Sequence, residues 1–364
     1  MAKGDSVKGK PVEITDERAR RKTIKLTTGD ARAGHLYTPS FLTAPSQLVY
    51  ISDRSGHQNF YSLGLDDFKS TQLTDSATIY AAGGCCCDAT REIFFWRETA
   101  LVALDVDSLE ERVVLDDGYQ GGRLAVSADG RFVAFGAASE NVPGFGGEFT
   151  GRFVLMLVSA RGEGAHPVLT APFVIGRVEF SPRDADTIAY TWAGRWDGIP
   201  QRMWVTDATG LEGGPLGSQN PNEIRGGAFF SADGWTLGYH GSRYHIRSTE
   251  DGYFVEETAW LVGTMNANGS GDFQYYCPGP TGRCRISSDG TKFISDVGGA
   301  FVPEHQSVAL INLDDERGVF EPLFFTGAAA TRATLPRPQF SPDDSKVVFT
   351  IGDDDASDVY LVSL

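Results

Sequence analysis

QFSPDDSKVVFT, residues 339–350, decides how this chain folds. A short apolar strand runs into a tight polar turn opened by Ser341, and a second apolar strand follows. Apolar and polar positions that alternate between Gly, Asp and Ser breaks are the mark of half-buried antiparallel strands. The same unit returns as AVSADGRFVAFG from Ala125, EFSPRDADTIAY from Glu179, FFSADGWTLGYH from Phe229 and RISSDGTKFISD from Arg285. Two degenerate copies precede them: FLTAPSQLVYIS from Phe41, and CCDATREIFFW from Cys86, which keeps strand and turn but lacks the serine. With the turn serine as register mark, equivalent positions are Leu42, Cys87, Ser127, Ser181, Ser231, Ser287 and Ser341, spaced 40 to 56 residues apart. That period suits four-stranded propeller blades and is too long for leucine-rich or ankyrin repeats. The expectation is an all-β, seven-bladed β-propeller over residues 18–364 as one domain, behind a loose arm at residues 1–17. KTIKLTT from Lys22 precedes the first full unit and YLVSL ends the chain. The last blade can therefore borrow an N-terminal strand and close the ring without an exposed edge.

Composition agrees with one large closed domain, because 364 residues of which 41% are hydrophobic can bury a core, and 43 glycines fit many tight turns. No stretch approaches the roughly 20 apolar residues that span a bilayer. The N-terminal MAKGDSVKGKPVE has no apolar segment of the secretory kind, so the expected place is the cytoplasm, away from membranes. Five cysteines, three of them contiguous at Cys85, Cys86 and Cys87, form no even disulfide framework and suit a reducing compartment.

A formal charge of −16 argues against nucleic acid, whose phosphates demand a basic face. Any local gathering of arginine is then informative. Four residues before the register serine stand Arg123, Arg177, Arg283 and Arg337, and Arg225 lies two residues off that mark in the fifth unit. The first strand of each propeller blade lines the central channel, so these positions gather around one mouth of it. Guanidinium forks bind carboxylates bidentately, and clustered like charges are costly unless an anion visits. The functional reading is an anion pocket; the bland one is that each arginine pairs with a neighbouring blade's acid, for instance Glu179 or Glu223, as a structural bridge.

From end to end the chain resembles the oligogalacturonate lyases. The resemblance rests on the MAKG start, GHLYTPSFLT with His35, DSLEERVV from Asp107, QRMWVTDATG from Gln201 and the closing RPQFSPDDSKVVFT. It implies an intracellular seven-bladed propeller that splits digalacturonate by β-elimination. That family holds manganese with histidines whose matching positions here carry Arg283, Leu335 and Arg337, and its further active-site histidines fall near Trp192 and Gly227. Arginine is no metal ligand, so no catalytic metal and no cofactor are expected. The chain is also similar to the rhamnosyl-glucuronate lyases, which rely on arginines and histidines.

A uronate lyase removes the C5 proton beside a carboxylate that already bears charge, so something cationic must neutralise the intermediate. Manganese does this in the relatives, and preorganised arginines can do it here. A base for C5 and an acid for the leaving oxygen complete the set. His35, at the arginine end of the first unit, is the first choice as base, and His57, in the DRSGHQNFY turn, is the second. Tyr37 and Tyr80 could donate to the leaving oxygen. Trp192 and Arg202 belong to the long TWAGRWDGIPQRMW connection, whose aromatic faces can stack on sugar rings. His240 and His245 flank a segment that could reach the mouth as a loop. NANGSGDFQYYCPGPTG from Asn266 could wall a pocket, and acidic runs such as Asp314, Asp315 and Glu316 lack calcium-loop spacing. The expected partner is an acidic oligosaccharide. The competing class is a non-catalytic propeller that binds anions or proteins, since fold does not dictate activity.

Overall fold

The computed structural model describes residues 2–27, 32–36, 40–116, 118, 121–142, 152–194, 198–249, 252–298, 306–326, 336–352 and 356–364. Among these the fold is all-β, with one 3-10 turn at Ser139–Asn141. Tyr37, Arg195, Trp196, His305, Leu335 and the Asp353–Asp355 run lie outside the described residues. None of the described residues forms a helix long and apolar enough to cross a membrane.

The recurring serine closes the turn. Ser127 Oγ donates to Asp129 Oδ1 at 2.7 Å and accepts the Phe132 amide at 3.0 Å, while Gly130 takes the left-handed backbone at φ 71° that the turn requires. Ser287 repeats these bonds to Asp289 at 2.6 Å and from the Lys292 amide at 3.0 Å. Ser341 does so with Asp343 at 2.6 Å and the Lys346 amide at 2.9 Å. Each turn sets its two strands in antiparallel register, as in Ala125 opposite Ala134 and Gln339 opposite Val348.

The described strands pair into six sheets. Three are four-stranded antiparallel meanders, and the largest joins two such meanders through one parallel bridge, Tyr276 to Arg317. Successive turns touch one another. Thr43 donates to Asp88 at 2.7 Å, Cys87 Sγ lies 3.8 Å from the Ser127 carbonyl, and Ser181 Oγ donates to the Gly234 carbonyl at 2.9 Å. Ser231 Oγ reaches the Ser288 carbonyl at 3.5 Å, and Ser288 Oγ donates to Asp344. Between sheets the apolar faces meet: Phe94 and Trp96 on Phe135 and Met156, Leu237 and Tyr239 on Ala189 and Met203, Val348 and Val359 on Leu48 and Tyr61. Burial of such side chains is worth roughly 1.5–3 kcal/mol each, so the contacts between sheets hold the fold.

Residues 1–17, expected as a loose arm, are paired with the body of the fold. Ser6–Lys8 lies along Lys69–Gln72, and Val12–Asp16 along Arg21–Lys25. Open sheet edges offer unpaired N–H and C=O groups, and the N-terminal segment takes them up. Arg21–Lys25 also pairs with Ser357–Ser363, Thr23 opposite Val362.

Candidate functional site

Two of the repeated arginines sit within backbone irregularities, and a third repeat has one at the equivalent place. Pairing shifts between Ile175 and Val178 around Arg177, and between Thr281 and Cys284 around Arg283. The fifth unit shifts between Gly226 and Phe229, and there the equivalent position is Gly227 at φ 58°. Bulges re-aim side chains, which is how these guanidiniums leave the plane of their sheets. At Gly227 the φ of 58° is the left-handed backbone that favours glycine, and a Cβ built on it would be in ordinary contact with Arg177 Nη1 at 3.6 Å.

The group on which they converge is His240, buried in the strand Thr236–Thr249 opposite Gly226 and Val262. Its ring is hydrogen-bonded to the Thr281 backbone. Burial, with Arg202, Arg283 and Arg177 around it, pushes its imidazole down to about 3, so it is uncharged at neutral pH. Arg202 is half-buried, and burial lowers its own proton affinity. Arg177 is shared with Glu179, which also accepts the Phe230 amide at 3.1 Å and stands 3.8 Å from Arg285 Nη1. Burial holds the Glu179 carboxyl above the usual range in spite of these partners.

Asp296 stands behind Arg283. Its carboxyl is pushed up to about 6 by burial, against the pull of Arg283 and Arg337 and of backbone N–H groups. A Cβ on Gly282 would fall 2.3 Å from its Oδ1, so glycine at that position is what lets the carboxyl approach. On the far side of Arg337 lies His35, buried and fixed at both ring nitrogens. Nε2–H donates to the Arg337 carbonyl at 2.7 Å, and Nδ1 accepts from Thr350 Oγ1 at 2.8 Å. That pattern selects one neutral tautomer. Burial and Arg337 together lower its proton affinity to about 4.

The other expected residues lie elsewhere. Arg225 points to the face of its sheet opposite His240 and bonds to Glu223 and, at 2.7 Å, to Asp272, so it is paired with acids, though with those of its own repeat and not of a neighbouring one. Its neighbour Gly226, opposite His240, takes the other face because side chains alternate along a strand. Trp192 stacks on Phe173 at 4.5 Å and 11°, which leaves one ring face for anything else. His57 and Arg123 are exposed, and Tyr80, 49% exposed, lies with its ring over Gly83.

His240 is a strand residue and not part of a loop, and Asp296 was missed altogether. One signal could have found both. His240, Asp296 and Thr350 are the last residues of their twelve-residue copies, nine after the register serine. Polar residues there break an apolar strand at one repeated place.

The positions matching the relatives' manganese ligands do not fit a metal here. Arg283 and Arg337 cannot ligate one, and among the described residues no three His, Cys, Asp or Glu side chains come together.

No protein-family profile matches the chain. It is 21% identical over 403 aligned residues to an oligogalacturonide lyase of Pectobacterium atrosepticum, covering 100% of this chain and 98% of that one. Among solved structures it resembles an oligogalacturonate lyase in complex with manganese, with TM-score 0.83 and 20% identity over 100% and 98% of the two chains. An oligogalacturonate lyase from Vibrio parahaemolyticus gives TM-score 0.84 at 20% identity with the same coverage. Sequence and structure thus relate the whole chain to the oligogalacturonate lyases, and at this identity the structural likeness speaks for the fold.

Proposed function

We propose that this protein is a lyase that cleaves a uronate-containing oligosaccharide by β-elimination without manganese, on a seven-bladed propeller closed by the N-terminal strand. The observation that carries the reading is the meeting of Arg177 and Arg202, from one repeat, with Arg283, from another, around one buried uncharged histidine. The contacts between five pairs of successive turns, and the pairing of Arg21–Lys25 with the C-terminal strand, support a closed ring. Free cysteines support a cytoplasmic setting.

In this reading the guanidiniums hold the substrate carboxylate, and the negative charge that develops on it as C5 loses its proton is met by donors already in place. His240 is the base. Burial is the largest cause of its weak basicity and the surrounding cations the next; a bound carboxylate offsets the share due to the cations and raises the basicity by that share. The C5 proton passes to the imidazole, the C4–O bond breaks, and the departing oxygen takes up a proton. The product carries a C4=C5 double bond. His35 acts as a positioning residue through the Arg337 carbonyl.

The test is ultraviolet absorbance of that double bond during incubation with rhamnosyl-glucuronate, digalacturonate and related uronides, with and without chelator. Absorbance that grows with chelator present and is lost in His240→Gln and Arg283→Ala supports the reading. A flat trace on every substrate overturns it and favours an anion-binding module, which calorimetry with the same uronides would reveal.

A further inference from the structure

On the face of the fifth sheet away from His240 there is a second cleft, of about 360 Å³, within the roughly 300–1,000 Å³ usual for small-molecule sites. Its floor is Arg225. This guanidinium is 1% exposed, lies 4.7 Å over the Tyr239 ring, and is held by Glu223 and Asp272, yet its Nη1 is buried with no hydrogen-bond partner. A buried donor left unpaired costs about 1–3 kcal/mol, so the ion pairs to Glu223 and Asp272 are what hold this guanidinium beneath the cleft.

The walls come from the segment after Asn266. Asp272 accepts from Arg225 at 2.7 Å and from the Tyr239 hydroxyl at 2.5 Å, and as a carboxylate it keeps further lone pairs for a hydroxyl donor. Gln274 donates to Glu223 at 3.1 Å and accepts from Arg243 at 3.0 Å, so its amide is held in place. Phe273 and Tyr276 are aromatic rings left 44% and 38% exposed at the rim, and Arg243 lies 5.3 Å from the Tyr276 ring. Glu316, from the turn of the next meander, closes the outer edge.

We propose that this cleft is a second binding site, for an uncharged sugar unit of a glycan chain. Exposed aromatic faces suit the C–H face of a sugar ring, and a fixed carboxylate and an amide suit its hydroxyls, which both donate and accept. The charge excludes a uronate. Glu223, Asp272 and Glu316 outnumber Arg225 and Arg243, the reverse of the ring around His240. The proposal stands apart from the lyase reading, because nothing in it uses the central arginines.

Titration calorimetry of the intact chain with galactobiose, cellobiose and rhamnose, and with digalacturonate as charged control, tests it. At least one neutral sugar should bind, about tenfold more weakly in Tyr276→Ala and in the near-isosteric Asp272→Asn. That binding should persist in His240→Gln, while digalacturonate binding should persist in Tyr276→Ala. The proposal is overturned if no neutral sugar binds the unaltered protein. It is equally overturned if neutral binding survives Tyr276→Ala, or disappears in His240→Gln, which would put the sugar in the central site. A negative result here leaves the absorbance assay untouched.

Discussion

Arg225 and Arg283 occupy nearly the same place in successive repeats and do opposite things. Arg225 faces a sheet neighbour, is almost wholly buried, and is held by Glu223 and Asp272. Arg283 turns to the opposite side, where it meets His240 and the reluctant carboxyl of Asp296. The difference is two residues of register across an irregularity in pairing. It teaches that an arginine column in a repeat is a set of candidates, and that the local counter-charge separates the structural members from the functional ones.

The sharpest way to break this contrast is to remove each member and read both activity and stability. His240→Gln and Arg283→Ala should each lower turnover of a uronide by about 10²–10³-fold, measured as the rate of absorbance growth, with the unfolding midpoint little changed. Arg225→Met should do the reverse. It leaves Glu223 buried without its cation and should cost about 3–5 kcal/mol in denaturant unfolding while turnover of the folded fraction is retained. Equal losses of activity in both variants would erase the distinction.

Acid should sharpen it. Unfolded, the two buried imidazoles take up protons near their ordinary value, but folded they do so only at about 4 for His35 and about 3 for His240. Their stabilising share is therefore complete above about pH 6.5 and is lost as pH falls toward 3, at roughly 1.4 kcal/mol per pH unit for each. Asp296, raised to about 6, works in the other direction, and its share is lost as pH rises through that value. His35→Gln should flatten the acid limb of a plot of unfolding free energy against pH.

Gly227→Ala places a side chain at φ 58° and should cost about 1–2 kcal/mol in denaturant unfolding, with turnover of the folded fraction retained because the added Cβ would be in ordinary contact with Arg177. The smallest effects belong to His57→Ala and Tyr80→Phe. Both side chains are exposed, and turnover and stability should stay within about 0.5 kcal/mol of the unaltered protein.

Much of the architecture was legible because it is local. The serine–aspartate–glycine turn forms from its own hydrogen bonds, so the strands of each copy could be placed from the residues themselves. The strands Ser6–Lys8 and Val12–Asp16 were not legible because their partners, Lys69–Gln72 and Arg21–Lys25, supply the order that the segment lacks on its own. In the candidate site the arginine column was visible and the base was not. His35 looked well placed in the chain, yet both its ring nitrogens are committed to Thr350 and Arg337, while His240 stood beside a segment that read as a loop and is in fact strand.

The repeat, its turn chemistry, the recurring arginines and the absence of histidine at the relatives' metal positions were determined by the sequence alone, since each depends on residue identity at fixed spacing. Which face each arginine takes, and whether an acid or an imidazole awaits it there, was decided only in three dimensions. Side-chain direction in a sheet reverses with every residue and shifts again at every bulge, and the groups that meet Arg177, Arg202 and Arg283 arrive from strands many residues away.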